Sequence, residues 1–334
     1  MTSTQTEPNL NETVESLRRV GEKYRAINKH WISKATFTLI AVSLVLSQIG
    51  IGFAVYQGSL WLGIPMVILA SHFMHGALIG FHEASHSLLR KNRLLNDIDG
   101  VVAGTLSFMS FTLYRVAHQT HHMHLATERD EELWPFVKVD SPRWFRCWIA
   151  FVELNAGLFF TPFLFARMFL RKDSFIRNKK VRRQIWGEFA IMGLFWSLVI
   201  SAVAYWNVWN YFFWIFFVPG YIAGNLQSWR KYVEHVGVRG HTANGATRSI
   251  VSHSWGGRLL SLTLLHEPFH AVHHWKAGLP HEELPLNAEL LAPAEKDDLP
   301  IFPNYRSAII DLLRNLSDPR TGSHWPGPKA KTIS

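Results

Sequence analysis

The sequence predicts an all-α, integral membrane protein: four transmembrane helices in two hairpins, with a cytoplasmic helical cap that carries clusters of histidine. Three observations lead there. Stretches 35–57, 59–81 and 189–229 contain no Asp, Glu, Lys or Arg. All 34 Lys and Arg lie outside them. Histidine is over-represented, with 18 in 334 residues, and clusters just beyond the apolar stretches.

The elements follow in chain order. Segment 1–34 is polar and is expected on the cytoplasmic side, without a cleavable signal. Residues 1–12 are expected to lack structure. Beyond them Val14, Leu17, Tyr24 and Ile27 recur at helical spacing, which predicts an amphipathic helix lying on a surface. Stretches 35–57 and 59–81 each exceed the ~20 apolar residues needed to cross a ~30 Å hydrocarbon core. Stretch 189–229 is long enough for two more crossings, 189–206 and 208–229, divided at Trp206-Asn207-Val208-Trp209-Asn210, a composition suited to an interface. Two further apolar segments carry polar residues: Ile98–Tyr114 with Asp99, and Trp148–Phe169 with Glu153, Pro162 and Arg167. Both are expected to lie in the interface or dip into it, because one extra crossing would put the histidine clusters on opposite sides. The membrane domain is thus 35–290, and 291–334 is expected as a cytoplasmic tail.

Charge placement sets the orientation. Segments 1–34, 82–188 and 230–334 carry 6, 16 and 12 Lys and Arg, and the two short turns carry none. By the positive-inside rule both termini and the middle segment are cytoplasmic, in a setting expected to be a bacterial inner membrane. The formal charge of +9 is therefore explained by topology, and no nucleic-acid partner is expected. The basic run Arg177–Arg183 is expected to face lipid headgroups. A single cysteine, Cys147, excludes a disulfide framework, a cysteine zinc site and a cysteine-ligated iron–sulfur cluster from this chain alone.

The histidines carry the chemistry. The clusters are His82 and His86 in HEASH, His118, His121 and His122 in HQTHH, and His270, His273 and His274 in HAVHH; a lone His235 lies in KYVEH. Positions i, i+3 and i+4 of a helix share a face, so each cluster aims its imidazoles together. Nine imidazoles are too many for one ion and about right for two with a position left open. Ligating imidazoles usually pass their other N–H to a carboxylate, and Asp130 and Glu234 are the expected partners, with Glu83, Glu131 and Glu267 also beside ligands. His72 and His75 lie inside the second span, where a channel-lining role and a helix–helix hydrogen bond are both open.

These motifs resemble the membrane fatty-acid desaturase and hydroxylase superfamily. HEASHSLLRKNRLLNDIDG is similar to its first histidine box, HQTHHMHLATERDEELWP to its second, KYVEHVG to its isolated histidine element, and HAVHHWKAGLPHEELP to its third. The resemblance covers roughly 35–290. It implies that His82, His86, His118, His121, His122, His235, His270, His273 and His274 hold two iron ions of a non-haem di-iron centre, with O2 as co-substrate. Relatives often carry Asn four residues before the third box; here that position is His266, expected as a tenth or water-linked ligand or as a group behind the ligands. His124 is expected at the surface or behind the ligands. The first His of the third box argues against the front-end desaturase branch, and no fused b-type cytochrome domain is expected.

The resemblance implies a membrane-bound oxidoreductase that introduces a double bond into a lipid acyl chain held in a buried apolar tunnel. Hydroxylation or ketolation of a lipid, alkane or carotenoid uses the same ligands; the flanking motifs favour desaturation. The chain shows no dinucleotide or flavin fingerprint, so an external electron donor is expected: a ferredoxin or a small cytochrome, with its reductase, docking on the basic face. Two readings from other classes compete. HEASH also fits the HExxH pattern of an intramembrane zinc protease, but one catalytic zinc takes three protein ligands and a water, which leaves both HxxHH boxes unexplained. A metal transporter would place its site near the bilayer midplane rather than beyond the spans.

Overall fold

The computed structural model describes residues 10–28 and 31–325, with side chains for 10–25 and 35–325. Residues 1–9, the side chain of Ile27 and residues 326–334 lie outside the described residues, as do the expectations that fall on them. The described chain is helical throughout, without a strand: α1 Leu10–Asn28, α2 Trp31–Gln57, α3 Leu60–Ser85, α4 Arg93–Leu106, α5 Phe111–Met123, α6 Arg143–Leu170, α7 Lys179–Tyr205, α8 Trp209–Phe212, α9 Val218–His235, α10 Ala243–Ala246, α11 Trp255–Thr263, α12 His270–Trp275 and α13 Tyr305–Asn315. A π turn, Phe213–Phe217, joins α8 to α9, and a 3-10 stretch, His281–Leu291, follows α12.

Four of these helices are long and apolar enough to cross a membrane: Ala35–Gln57, Leu60–Ser85, Arg143–Leu170 and Lys179–Tyr205. Large apolar side chains such as Leu46 and Ile49 on α2 and Leu194 and Leu198 on α7 stay exposed, as a lipid solvent demands. The turn between α2 and α3 is closed by Gly58, whose φ of +64° suits a residue without a Cβ, and by Ser59, which caps α3 by accepting from the Leu62 N–H.

The structure differs from expectation in three places. The expected span 208–229 is not one regular helix, because the aromatic run Phe213–Phe217 winds as a π turn; the residues on either side keep helical angles, so the chain runs continuously from Trp209 to His235. Helix α1 begins at Leu10, and its apolar face does not lie free on a surface: Leu17, Val20 and Tyr24 are buried against Phe269, Val272, Leu284 and Ala288. Residues 291–325, within the expected C-terminal tail, pack onto the helices before them. Helix α13 packs Ala308 and Leu312 against Tyr232 and Val233 of α9, and Thr321 Oγ1 donates to the His235 carbonyl at 2.8 Å.

Two segments are bent or interrupted. Helices α4 and α5 meet at 101°. Asn96 near the start of α4 donates to the Ala84 carbonyl at 2.9 Å, and α5 ends in the second histidine cluster. Helix α6 breaks at Ala156, where φ −136° and ψ 32° are not helical. Its first turn bonds through Arg146 to Pro319 and Asp318, and just past its last turn Arg171 pairs with Glu131 at 2.9 Å. Its middle reaches down α9, with Tyr221 donating to the Asn155 carbonyl and Asn225 accepting from the Gly157 N–H at 2.8 Å.

Buried carboxylates fasten these pieces. Glu188 of α7 accepts from Ser110 Oγ at 2.6 Å and from the Thr112 N–H at 2.9 Å, so it caps α5 from a neighbouring helix. Fully buried Glu153 of α6 accepts from Tyr232 Oη and Thr161 Oγ1, both at 2.9 Å, and pairs with Lys231. Removing one partner of such a pair strands the other charge in the interior. Glu153→Ala is expected to cost about 3–5 kcal/mol of stability; thermal melting of the detergent-solubilised protein checks this, and an unchanged midpoint would show that α6 is held by other contacts.

Candidate metal centre

Helix ends deliver the histidines. His82 lies in the last turn of α3 and His86 caps it; His118, His121 and His122 occupy the last turns of α5; His235 ends α9; His270, His273 and His274 fill the short α12. All nine come together, as two adjoining groups. In the first, potential ligand atoms of His82, His86, His118, His122 and His273 lie within 4.8 Å of one another. The second gathers His121, His235 and His274, with His270 and Glu234 grouped around the same His235. The His122 and His274 rings, one from each group, stack at 4.3 Å.

The HxxHH spacing explains this division. At about 100° per residue, i and i+4 project some 40° apart, whereas i+3 swings about 100° away from i+4. His118 and His122 therefore enter the first group while His121 enters the second; in the other box His270 and His274 enter the second group and His273 the first. Each box spans both groups.

The donor set fits metal ions. Nε2 atoms face one another at 2.8 Å for His82 and His118, 3.1 Å for His118 and His122, 3.1 Å for His122 and His273, 2.7 Å for His235 and His270, and 3.2 Å for His270 and His274. Adjacent ligands at right angles with metal–nitrogen bonds of 2.0–2.1 Å would stand ~3 Å apart. The Nε2 of His86 is buried without a hydrogen-bond partner among the described residues. Burial, reinforced by the neighbouring imidazoles, pushes His118, His122, His273 and His274 well below the ordinary imidazole range, and burial takes His270 down to about 4; neutral imidazole is the ligating form.

Carboxylates sit on the outward nitrogens. His121 Nδ1 lies 2.8 Å from Asp130, whose Oδ2 also accepts from the Ala126 N–H at 3.0 Å. His118 Nδ1 lies 3.0 Å from Glu132, and His270 Nδ1 3.0 Å from Glu267. Glu132 and Asp130 hydrogen-bond these nitrogens and so fix the tautomer that leaves Nε2 of His118 and His121 free for a metal. Burial works against a charged His121, yet Asp130 and Glu132 more than offset it and hold the group up at about 8.

Of the two expected acids, Asp130 lies against His121. Glu234 instead spends its carboxylate on Arg230 at 2.6 Å and comes only within 3.7 Å of His270 Nε2. Glu131 turns away to Arg171. Glu83 is buried beside His82 and Glu267. His266 lies outside both groups: its Nδ1 meets Ser261 Oγ at 3.1 Å and its ring meets Tyr24 edge-on. His124 caps α5 at the partly exposed edge, and His72 joins helices through Thr263 at 2.9 Å. Glu132 escaped the sequence reading, although the acidic run Asp130-Glu131-Glu132 signalled it: an acid two residues past Asp130 reaches the other face of the same turn.

Helices long and apolar enough for a membrane, ending in histidine clusters able to hold metal, define a membrane protein with a buried polyhistidine centre. The family model described as Fatty acid desaturase matches residues 59–305, and the chain belongs to that family. No curated protein matches the sequence.

The placement of His266 has a direct consequence. His266→Gln is expected to keep the wild-type metal content, while His235→Ala loses metal from the second group. Elemental analysis of both purified variants checks this, and a loss of metal in the His266 variant would restore it as a ligand.

Proposed function

We propose that this chain is a membrane-bound, O2-dependent desaturase of lipid acyl chains, with two irons held by His82, His86, His118, His122 and His273 on one side and His121, His235, His270 and His274 on the other. The division of nine imidazoles into two adjoining groups backed by acids carries this reading. A single zinc would use three of them with a water, so the protease reading leaves most of the site without a role.

A pocket supports the lipid substrate. Leu78, Phe81, Met109, Leu158 and Phe165 give it apolar walls, and Tyr114, Glu132 and Arg230 stand at its polar end. The Tyr114 ring stacks on His118 at 5.3 Å, so the polar end adjoins the first group. Each methylene of an acyl chain buried there contributes about 0.8 kcal/mol, and a chain that fills the walls excludes water from the histidines. Bound irons supply the oxidising power, with O2, to remove two hydrogens from adjacent unactivated carbons. The balance is one alkene and two waters from O2, two protons and two electrons. The electrons come from a ferredoxin or small cytochrome with its reductase. The protein binds and orients the chain, places nine imidazoles around the two sites, and keeps them dry. The flanking motifs favour desaturation over hydroxylation or ketolation.

The membrane placement belongs to the same reading. Helices α2, α3, α7 and the run from Trp209 to His235 cross, α4–α5 and α6 dip and return, and the histidine cap and both termini are cytoplasmic in a bacterial inner membrane. Reporter fusions after Gln57 and after Trp206 are expected to be periplasmic, and fusions after His122 and at Ser334 cytoplasmic; a cytoplasmic signal at Gln57 would overturn this topology.

The function is tested by elemental analysis of the purified protein and by mass spectrometry of lipids from an expressing host. About two irons per chain and new unsaturated acyl chains are expected, from the ligand count. His235→Ala should abolish product and lower iron, whereas Glu83→Gln should retain some activity, since losing a partner behind the ligands costs about 10–100-fold. One zinc without iron, or an active His235→Ala beside a dead Glu83→Gln, would sink the proposal.

A further inference from the structure

Glu267 occupies a place that Asp130 and Glu132 do not. Its Oε1 lies 3.0 Å from His270 Nδ1, in the second group, and its Oε2 lies 3.3 Å from His82 Nδ1, in the first. Asp130 meets only His121, and Glu132 only His118. Among the described residues Glu267 is the carboxylate that touches the outward nitrogens of both groups. It is fully buried, so its position is set by its partners rather than by solvent.

The partner that fixes it is Arg230. A single nitrogen, Nη1, donates to Glu267 Oε1 at 2.7 Å and to Glu234 Oε2 at 2.6 Å. Nε of the same guanidinium donates to Gln227 Oε1 at 3.3 Å, which ties the arginine back to its own helix one turn earlier. Arg230 is itself buried and lines the pocket wall. Without it, Glu267 would face two imidazoles and another carboxylate with no guanidinium to hold it between them.

We propose that Arg230 is a positioning residue shared by both metal sites: acting through Glu267, it holds His82 and His270 in register, and so sets the two groups together. The proposal rests on the reading that the groups bind two metals. It assigns the acids unequal roles, since Asp130 and Glu132 each serve one site and the Arg230–Glu267 pair serves both. Because one nitrogen bridges both carboxylates, the planar fork of arginine is not what matters. A positive donor at that point is, and lysine can offer one.

The test uses the full chain in detergent, stripped of metal and titrated anaerobically with ferrous iron, with bound iron measured at each step. Wild type is expected to bind two irons. Asp130→Asn and Glu132→Gln should each weaken one site about 10–100-fold and spare the other. Arg230→Met and Glu267→Gln should weaken both sites by a similar factor, and Arg230→Lys should recover most of the loss. Glu153→Gln, which loosens α6 against α9 without touching an imidazole, should retain both sites, so a merely structural role for Arg230 would not reproduce the pattern. Should Arg230→Met fail to fold, Arg230→Lys and Glu267→Gln decide: Arg230→Lys near wild type beside a two-site loss in Glu267→Gln supports the proposal. Wild-type affinity at both sites in Glu267→Gln or Arg230→Met, or a loss confined to one site, overturns it. A wild-type protein that binds fewer than two irons instead refutes the two-metal reading on which it stands.

Discussion

Gathering nine imidazoles into one buried volume is the constraint on which the rest of the structure depends. Neutral imidazoles whose Nε2 atoms face one another at 2.7–3.2 Å compete for donors that none of them needs to supply. Protonating them to form hydrogen bonds would bury several like charges, and burial alone already drives most of them neutral. Cations at the two foci would resolve the conflict, because each Nε2 lone pair then has a partner. Imidazole ligands bring no negative charge to offset such cations. That task falls to the acids behind them, Asp130, Glu132 and Glu267, all buried or nearly so. Arg230 and Lys231 offset part of that excess, and both are themselves paired.

Helix direction supplies a second source of negative potential. His82, His235 and the second box all lie at C-terminal helix ends, where unpaired carbonyls leave a partial negative charge of roughly half an electron. Spans that run toward the cap and stop there therefore present both ligands and a favourable field. The same ends are stiff. Helix α5 is capped at its start by Ser110 and by Glu188 of a neighbouring helix, and at its far end it carries three histidines. A displacement of α7 would be transmitted along that strut to both groups, since α5 contributes to each.

Much of this was legible in the sequence, for identifiable reasons. Uncharged runs reveal lipid-facing helices because lipid penalises charge regardless of tertiary context, and the described α2, α3, α7 and the helical run from Trp209 to His235 fall on those runs. The histidines were legible because helical spacing fixes which rings share a face. The outward acids were only partly so. Asp130 and Glu132 lie 9 and 14 residues from the imidazoles they meet, whereas Glu267 must bridge to His82 across most of the chain, a contact no local pattern encodes. Glu234 sits beside His235 in sequence, but helical neighbours point apart, and its carboxylate turns to Arg230, one turn away on the same face. The π turn at Phe213–Phe217 was invisible because its residues are as apolar as those of any regular span.

Helix α6 is tied at both of its ends to parts of the chain that carry the histidines. It is 28 residues long and apolar enough to pass for a span. A straight helix of that length would separate its ends by about 42 Å. Yet Arg146 in its first turn binds Pro319, three residues before Gly322, whose N–H bonds Val238 just past His235; and Arg171 at its other end binds Glu131, beside Asp130 of the second histidine group. Both ends are thus tied to elements that hold ligands of one centre. The helix is interrupted at Ala156, with Pro162 following, and Glu153 with its three donors satisfies polar groups that an apolar medium would otherwise strand. The pocket lies beside this interruption, between Leu158, Phe165 and the Arg230 turn of α9, so its walls are carried by the same helix whose two ends are tied to the histidine-bearing elements.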